Sequence, residues 1–454
     1  MLKRKITKYL EQHFASASNK ILLVEGARQV GKSYVIREVG QRLFANYVEL
    51  NFVTDDEGLQ LFKNVHTIDE FYLRLSSVAG DRLGTFDDTL IFLDEIQCYP
   101  QYLTLLKFLR EEHKYRFIAS GSALGMALRH TTSIPVGSVI VKKMYPLDFE
   151  EFLWANNYGE NAIEDLYKHF TEQQQLSEEQ HEQLLDLFCR YLLVGGLPDV
   201  VNEYLSTHNI LHVRNLQNAI ASMYEADASQ YENNTSRKLL IRRIYAMIVS
   251  QMENKKKRIV AKDIQDIKGD RFARYVDEFE YLLSSGISLG VNAIANPRFP
   301  LSESSQKNLL KLYLNDVGLL TAKLYHTNIQ PILQNERSIN LGAVYESVVA
   351  QELSSHGYSL FYYDNRHKGE VDFMIDDYQT GSVLPIEVKS GRDYTIHSAL
   401  NALLNNKDYG IQKAIVFSNE RQVKKVDGVV YLPIYYVMFL DHDRQKNIPR
   451  ELMF

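Results

Sequence analysis

The residues whose types and spacing most clearly suggest chemistry lie at positions 26–33, which read GARQVGKS. This is the spacing of a phosphate-binding loop, in which glycines let the backbone approach phosphate oxygens. An apolar run at residues 21–26 precedes it and a helical pattern begins at Lys32, a context that favours a functional loop over a chance Gly-Lys-Ser turn. Lys32 can reach the β- and γ-phosphates of ATP, and Ser33 can bind Mg²⁺. We therefore expect ATP to contact Gly26, Ala27, Arg28, Gln29, Val30, Gly31, Lys32 and Ser33, with Lys32 also acting in catalysis.

An acidic pair follows a second apolar run, in TLIFLDE at residues 89–95. A buried parallel strand that ends in Asp94 and Glu95 would place both carboxylates at the carboxyl edge of the sheet, beside the loop. Asp94 is expected to hold Mg²⁺ and Glu95 to act as the general base for the attacking water. A further strand at residues 115–122 carries Ser120, whose hydroxyl is expected to contact the γ-phosphate or to position the water. A solvated Asp-Glu turn is the plainer interpretation, which the upstream loop disfavours.

A second acidic and cationic pattern lies near the C-terminus, in GEVDFMI at residues 369–375 and LPIEVKS at residues 384–390. Glu387 and Lys389 alternate along one strand and so share a face, and Asp372 lies on the preceding strand. Carboxylates suit Mg²⁺, and a lysine can orient a metal-bound water for phosphodiester cleavage. We expect Asp372, Glu387 and Glu346, the last in the preceding helix, to bind metal, with Asp372, Glu387 and Lys389 catalytic. Glu370 is an alternative ligand, and an exposed cross-strand ion pair is the plainer interpretation.

The elements that must position these residues divide the chain into four parts. Apolar strands alternate with helices at first, which predicts an α/β fold with a parallel phosphate-loop sheet. A polar, helical stretch follows, then three short helices and a hairpin with the size and order of a winged helix, then a second α/β region. The expected boundaries are 1–153 for the nucleotide-binding core, 154–233 for a helical lid, 234–296 for the winged helix and 297–454 for the last domain.

Taken together, several motifs resemble one family. GARQVGKS, TLIFLDEIQ, FIASGSALG, YPLDFEEFL, GGLPDVV and KLYLNDVGLL look like the bacterial and archaeal AAA-type ATPases that carry a C-terminal domain of long-unassigned function. The resemblance implies an AAA-like core, a helical lid, a winged helix and a restriction-endonuclease-like domain. The C-terminal pattern resembles PD-(D/E)xK nucleases, with Asp372, Glu387, Lys389 and Glu346 at its positions. Gly137 and Ser138 stand where the family usually has Gly-Arg, a pair whose arginine is a candidate finger. Arg129 could substitute for it and Arg28 is another cation near the phosphates, although a solvated or phosphate-neutralising arginine is the plainer interpretation of both.

Charge and cysteine content limit the partners and the compartment. The net charge of −6 excludes a uniformly basic nucleic-acid binder, so DNA binding would need a local patch. Lys255, Lys256, Lys257 and Arg258 form a basic run, and Arg271 and Arg274 follow; a solvated loop and a protein-binding winged helix are an equal alternative. Only two cysteines, far apart, favour a reducing cytoplasm. The basic N-terminus is followed by no apolar segment of the kind found in signal peptides, and no apolar run is long enough to span a membrane.

Three hypotheses follow from these patterns. The first is a cytoplasmic ATPase, dependent on ATP and Mg²⁺, whose C-terminal domain binds or cleaves nucleic acid, DNA being favoured. The second is a nucleotide-controlled switch with protein partners and a degenerate, non-cleaving nuclease fold. The third is a protein-remodelling motor, which would require a hexamer.

Overall fold

The computed structural model describes residues 2–122, 137–227, 234–252, 257–267, 271–334, 341–391, 393–442 and 444, with only the backbone given for 305–308. The chain divides into two compact units. The first consists of residues 3–145 and 280–286, and the second of residues 146–279 and 287–454. The N-terminal segment of the first unit therefore ends at residue 145, eight residues before the expected boundary at 153. It also takes up a short segment that the sequence assigns to the winged helix.

The first unit is built on five parallel strands. Along the chain they are β1 (Ile21–Glu25), β2 (Asn46–Asn51), β3 (Thr89–Asp94), β4 (Arg116–Gly121) and β5 (Val139–Lys143), and in the sheet they are ordered β2-β3-β4-β1-β5. The helices are α1 (Lys5–Ala15), α2 (Lys32–Leu43), α3 (Phe52–Glu57), α4 (Ile68–Ala79) and α5 (Gln101–Glu112). The prediction of an α/β fold with a parallel sheet is confirmed. Strand β5 was not predicted, because as an edge strand it is half exposed and carries two lysines.

Burial explains why this sheet forms. All six residues of β3 are buried, as is most of β1, so these strands read as continuous apolar runs rather than alternating ones. Phe52, Phe71 and Tyr102 pack together in a core between the sheet and its helices. Helix α4 begins at a capping box in which Thr67 and Glu70 bond each other's backbone amides, which satisfies donors that the first turn leaves free.

The second unit begins with helices. They are α6 (Phe149–Ala155), α7 (Glu160–Thr171), α8 (Glu178–Val194), α9 (Pro198–Thr207), α10 (Ile210–Asp227), α11 (Thr235–Met252), α12 (Ala261–Gln265) and α13 (Val276–Ser284), of which the end of α13 belongs to the first unit. Later helices are α14 (Val317–Tyr325), α15 (Gln330–Leu333), α16 (Gly342–Ser355) and α17 (Ser398–Leu404). Helix α14 packs against α8 and α10, so residues expected to form a separate lid share a core with later parts of the chain. None of the described helices has the length and apolar character that crossing a bilayer requires.

The second unit also contains an eight-stranded mixed sheet. Its strands are β6 (Ser288–Ile294), β7 (Ser305–Leu314), β8 (Phe361–Asn365), β9 (Gly369–Asp377), β10 (Ser382–Lys389), β11 (Ala414–Ser418), β12 (Lys424–Val426) and β13 (Val429–Pro433), ordered β12-β13-β11-β10-β9-β8-β6-β7. The hairpin expected as the wing is present as the antiparallel pair β6 and β7. However, β6 also pairs in parallel with β8. The expected boundary at 296/297 therefore lies between two strands of the same sheet.

Candidate nucleotide-binding site and carboxylate cluster

The loop at residues 26–31 joins β1 to α2 through a backbone that requires glycine at both ends. Gly31 has a φ of 93°, in the left-handed region. A Cβ on Gly26 would lie 2.2 Å from the carbonyl oxygen of Met144, so only glycine fits there. Arg4, which precedes α1, fixes the loop from its other side by donating to Val30 O at 2.9 Å and to Tyr145 O at 2.7 Å. Sequence reasoning missed Arg4, since no local pattern links it to a loop 26 residues away.

Lys32 is held within the curve of this loop. Its side chain is buried, and Nζ donates to the carbonyl oxygens of Gly26 at 3.0 Å and Ala27 at 2.9 Å. Burial lowers the pKa of Lys32, although the nearby carboxylates of Glu95 and Asp94 act in the opposite direction. The ammonium group is therefore close to both members of the acidic pair, as the sequence predicted.

Asp94 is the centre of a hydrogen-bonded group that joins three strands to α2. One carboxylate oxygen accepts from Ser33 Oγ at 2.8 Å and from Asn51 Nδ2 at 3.1 Å, and the other accepts from Ser120 Oγ. Burial raises the pKa of Asp94, and the bond from Ser120 partly offsets this. The hydroxyl of Ser33 and the carboxylate of Asp94 are hard oxygen donors in direct contact, a pair that suits Mg²⁺. Asn51, at the end of β2 and opposite Asp94 in the sheet, was not predicted.

Glu95 turns the chain away from β3 in a left-handed conformation, with a φ of 55°. Its carboxylate accepts a hydrogen bond from the side-chain amide of Gln97, which also donates to Ser122 Oγ at 3.2 Å. Because β3, β4 and β1 are parallel neighbours, their carboxyl ends meet at one edge of the sheet. The structure thus brings together the predicted Lys32, Ser33, Asp94, Glu95 and Ser120.

A segment from much later in the chain also reaches the loop. Gly286, with a φ of 74°, comes so close that a Cβ on it would lie 3.0 Å from the backbone nitrogen of Ala27. Gly286 belongs to the first unit and follows the last turn of α13.

Of the residues considered for an arginine finger, Arg129 lies outside the described residues. At the Gly-Ser pair, Gly137 O accepts from Arg110 at 3.0 Å and Ser138 O accepts from Ile21 N at 3.0 Å.

The carboxylates predicted near the C-terminus also come together, within the second unit. Glu346 lies on α16, Asp372 on β9, and Glu387 with Lys389 on β10. Asp372 accepts from Val388 N at 2.8 Å, and Lys389 Nζ bonds Glu387 Oε1 at 2.7 Å. The second carboxylate oxygen of Glu387 is buried and has no hydrogen-bond partner among the described residues.

Two lysines and a tyrosine that sequence reasoning missed complete this cluster. Lys257 forms an ion pair with Glu346, whose other carboxylate oxygen accepts from Tyr313 OH at 3.1 Å. Lys311, also on β7 and fully buried, forms a 2.6 Å ion pair with Glu370. The register of β7 could have suggested Lys311 and Tyr313, because these two residues alternate on one face of that strand, whereas no local pattern points to Lys257.

The electrostatics of the cluster follow from burial and from these cations. Burial and the charges of Glu387 and Glu346 raise the pKa of Asp372 well above its ordinary value. Burial likewise raises the pKa of Glu387, with Lys389 opposing it. Burial would raise the pKa of Glu346 too, but Lys257 and Lys311 hold that pKa below its usual range. The cluster therefore places Glu346 in its charged form beside two carboxylates that take up protons readily.

A metal site at this cluster remains a prediction. Within the described ranges, no three His, Cys, Asp or Glu side chains are arranged to hold a metal ion together. Both oxygens of Glu346 are occupied by Lys257 and Tyr313, while Glu387 retains an oxygen without a partner. The carboxylates are ligands of the type that Mg²⁺ prefers, but Glu346 is arranged as a member of an ion pair with Lys257.

The basic run near the winged helix differs from the expectation where it is described. Lys255 and Lys256 lie outside the described residues. Lys257 contacts Glu346, and Arg258 forms a 2.8 Å ion pair with Asp364. Both described cations therefore face carboxylates of the second unit rather than forming an open basic patch.

Several of the motifs quoted for the family resemblance meet in a buried network of the second unit. Asp316 accepts from Gly196 N at 2.6 Å, and Leu147 N donates to Gly196 O at 2.6 Å. Glu352 accepts from Phe149 N at 2.8 Å. These contacts account for the motifs by packing and backbone bonding.

Three family models match successive parts of the chain. An AAA domain matches residues 18–153, a domain of unknown function (DUF8612) matches residues 185–330, and another (DUF4143) matches residues 341–437. The eight-stranded sheet spans the last two matches, because β6 and β7 lie in one and the remaining six strands in the other. A comparison with curated proteins gives no match.

Solved structures are similar over much of the chain at low identity. The Walker-type ATPase PABY2304 of Pyrococcus abyssi is 13% identical, with a TM-score of 0.42, over 74% of this chain and 96% of that one. The Aeropyrum pernix ORC1 protein in complex with DNA is 12% identical, with a TM-score of 0.31, over 73% and 91%. The Thermotoga maritima RuvB Holliday junction branch migration motor is 12% identical, with a TM-score of 0.31, over 66% and 90%. The family match and the geometry of the loop, rather than these scores, lead to one conclusion: the chain carries an AAA-type P-loop ATPase domain, followed by two domains of unassigned function.

Proposed function

We propose that the chain hydrolyses ATP in a Mg²⁺-dependent reaction at the edge of the five-stranded sheet. The observation that carries this proposal is the direct contact of Ser33, Asp94 and Ser120, beside the buried ammonium group of Lys32. Bound Mg²⁺ would supply a positive charge that neutralises the phosphates and polarises the scissile bond. Ser33 and Asp94 are the residues that would hold it.

The residues of this chain then have distinct roles in the reaction. Lys32 and the amides of the loop bind and orient the phosphate chain of ATP. Glu95 accepts a proton from the water whose oxygen attacks the γ-phosphorus, while the bond from the γ-phosphorus to the bridging oxygen breaks and ADP leaves with that electron pair. Ser120 contacts the γ-phosphate or the water.

The experiment is a phosphate-release assay with purified full-length chain, ATP and Mg²⁺. Lys32→Ala should abolish ATP binding, and Glu95→Gln should keep binding while losing turnover. Lys107→Ala, at an exposed lysine of α5, is the matched control and should behave as wild type. Unchanged ATP binding by Lys32→Ala would overturn the proposal.

We also propose a further activity for the second unit: metal-dependent cleavage of nucleic acid, DNA being favoured, by Asp372, Glu387 and Lys389 with Glu346. The observation in its favour is the buried carboxylate oxygen of Glu387 that has no partner, in a cluster with Asp372 and Glu346. Plasmid DNA incubated with Mg²⁺ or Mn²⁺ should be cut by wild type and by neither Asp372→Ala nor Lys389→Ala.

The alternative is a nucleotide-controlled switch with protein partners and a C-terminal domain that does not cleave. The occupation of Glu346 by Lys257 and Tyr313 favours it. Absence of cutting in the same assay, with and without ATP, would select this alternative. The segment predicted as a winged helix would then contact a protein rather than DNA.

We place this activity in the cytoplasm, because the cysteines of the chain, Cys98 and Cys189, are both free. A homo-oligomer is proposed for the AAA domain, since a finger could come from a neighbouring copy. Native mass measurement with and without ATP tests it: a single-copy mass under both conditions would contradict the oligomer and, with it, the remodelling motor.

A further inference from the structure

The acidic pair is followed by a residue that neither the family matches nor sequence reasoning assigns. Gln97 lies in a single turn of 3₁₀ helix at Ile96–Cys98 and is only 6% exposed. Its side-chain nitrogen donates to Glu95 Oε2 and to Ser122 Oγ at 3.2 Å. Because a carboxylate only accepts hydrogen bonds, the partner identifies which end of the amide faces Glu95.

The local backbone explains why such a bond is useful. Asp94 is the last residue of β3, and Glu95 leaves the strand with a φ of 55°, so its side chain is no longer aligned by the sheet. A glutamate carboxylate on a turn keeps considerable rotamer freedom unless another group fixes it. The turn closes with a bond from Cys98 N to Glu95 O at 3.0 Å, which brings residues 95 and 97 side by side.

The other partner of Gln97 is a residue at the end of a strand, so the amide is also held from the sheet. Ser122 follows the last residue of β4, the strand beside β3 in the sheet. The amide therefore ties the Glu95 carboxylate to the tip of the neighbouring strand. That strand also supplies Ser120, which bonds Asp94.

The direction in which the carboxylate is held agrees with a role at the nucleotide. The ammonium group of Lys32 bonds the loop carbonyls of Gly26 and Ala27, and the charges of Glu95 and Asp94 both act on it. The carboxylate that Gln97 bonds therefore lies near the residue held by the phosphate loop. A residue that held Glu95 away from the loop would weaken this interaction.

We propose that Gln97 is a positioning residue for ATP hydrolysis, which holds the Glu95 carboxylate toward the phosphate loop, where it accepts the proton of the attacking water. This proposal rests on the proposed function of Glu95 as general base. It concerns the rate of the chemical step and not the affinity for ATP, because the described bonds of the Gln97 amide nitrogen go to the base and to the tip of β4.

The test compares kcat, KM and the dissociation constant for a fluorescent ATP analogue among variants of the full chain. Gln97→Ala and Gln97→Met should lower kcat by roughly tenfold, a fraction of the effect of removing a general base, with KM and the dissociation constant within about twofold of wild type. Gln97→Glu should lower kcat further, because a second carboxylate cannot donate to Glu95. Gln101→Ala is the matched control, as Gln101 is a partly exposed glutamine on α5 whose side chain bonds Lys63 O at 2.6 Å.

Glu95→Gln, measured in the same series, separates the two proposals. If Glu95→Gln retains full turnover, the proposed general base is wrong. If Glu95→Gln is inactive but both Gln97→Ala and Gln97→Met keep or raise kcat, the positioning role is wrong. Gln97→Met preserves side-chain volume, and thermal unfolding of each variant shows which of them remain folded. A rise of KM with unchanged kcat would also count against the proposal.

Discussion

Lys257 forms an ion pair with Glu346, so that one cation of a basic run lies against a carboxylate expected to bind metal. Glu346 is buried on α16, and its other oxygen accepts from Tyr313. The pair therefore belongs to the interior of the second unit. The positive charge of Lys257 lowers the pKa of Glu346 and so favours its charged form.

Breaking this pair should destabilise the fold. Lys257→Met leaves Glu346 charged and only partly compensated, and removing one partner of a buried pair typically costs about 3 kcal/mol, or somewhat less here because the lysine is partly exposed. Lys257→Met with Glu346→Gln should recover about half of that loss. Urea unfolding measures both, and Lys262→Met, at an exposed lysine of α12, is the control. Additive effects of the two single changes would contradict an interaction between them.

The contact between Ser33 and Asp94 predicts a metal-dependent phenotype. Ser33→Ala removes the hydroxyl that bonds Asp94 at 2.8 Å, and with it one of two oxygen donors proposed for Mg²⁺. The Mg²⁺ concentration that gives half-maximal ATPase activity should rise by roughly tenfold, equivalent to about 1.4 kcal/mol. Ser76→Ala, at an exposed serine whose hydroxyl bonds Tyr72 O, serves as the control. A fall in maximal rate at unchanged Mg²⁺ dependence would argue against this role.

The approach of Gly286 to Ala27 predicts that a methyl group there disturbs the phosphate loop. In Gly286→Ala the new Cβ would lie 3.0 Å from Ala27 N, at a φ of 74°. The affinity for ATP should fall by roughly threefold to tenfold. Gly410→Ala is a matched control, because it has a similar φ of 63° and no atom within 4 Å of its Cβ position, so it carries the cost of the left-handed backbone, about 1 kcal/mol, without the contact. Equal ATP affinity in the two variants would exclude a direct effect on the loop.

The phosphate loop and the acidic pair could be predicted because the residues that define each of them lie in a short contiguous stretch of sequence. Lys32 and Ser33 follow Gly31 directly, and Asp94 with Glu95 closes one buried strand. Sheet order then requires their proximity, because parallel strands end at the same edge.

Residues joined by long-range pairing could not be predicted in the same way. Lys311 reaches Glu370 only because β7 and β9 belong to one sheet, and Lys257 reaches Glu346 only because the segment before α12 lies beside α16. The hairpin of β6 and β7 reads equally well as an isolated wing or as the edge of a larger sheet, since its alternation is the same in both. The pairing of β6 with β8, which no local pattern specifies, decides between them.

Asp316 predicts a pH dependence of stability that can be assigned to one residue. Its carboxylate is fully buried at the start of α14, and burial raises its pKa from 3.8 to about 6, although the amides of Gly196 and Leu319 act in the opposite direction. The folded state therefore holds a proton that the unfolded chain releases, and the free energy of unfolding should fall as pH rises from about 4 to about 6, with the full penalty present above that range.

Asp316→Asn should remove this pH dependence, which corresponds to at most one proton bound on folding. The variant should also have a lower free energy of unfolding at every pH. The reason is that an amide nitrogen would face the backbone N–H of Gly196 or Leu319, and two donors cannot bond each other. Urea unfolding at several pH values between 4 and 7 gives the difference between wild type and variant, which cancels the contributions of other carboxyl groups. Asp263→Asn, at an exposed aspartate of α12, should leave the slope unchanged. If the slope of Asp316→Asn equals that of wild type, the buried carboxyl group does not bind the proton on folding, and the bonds from Gly196 and Leu319 then suffice to keep it ionised.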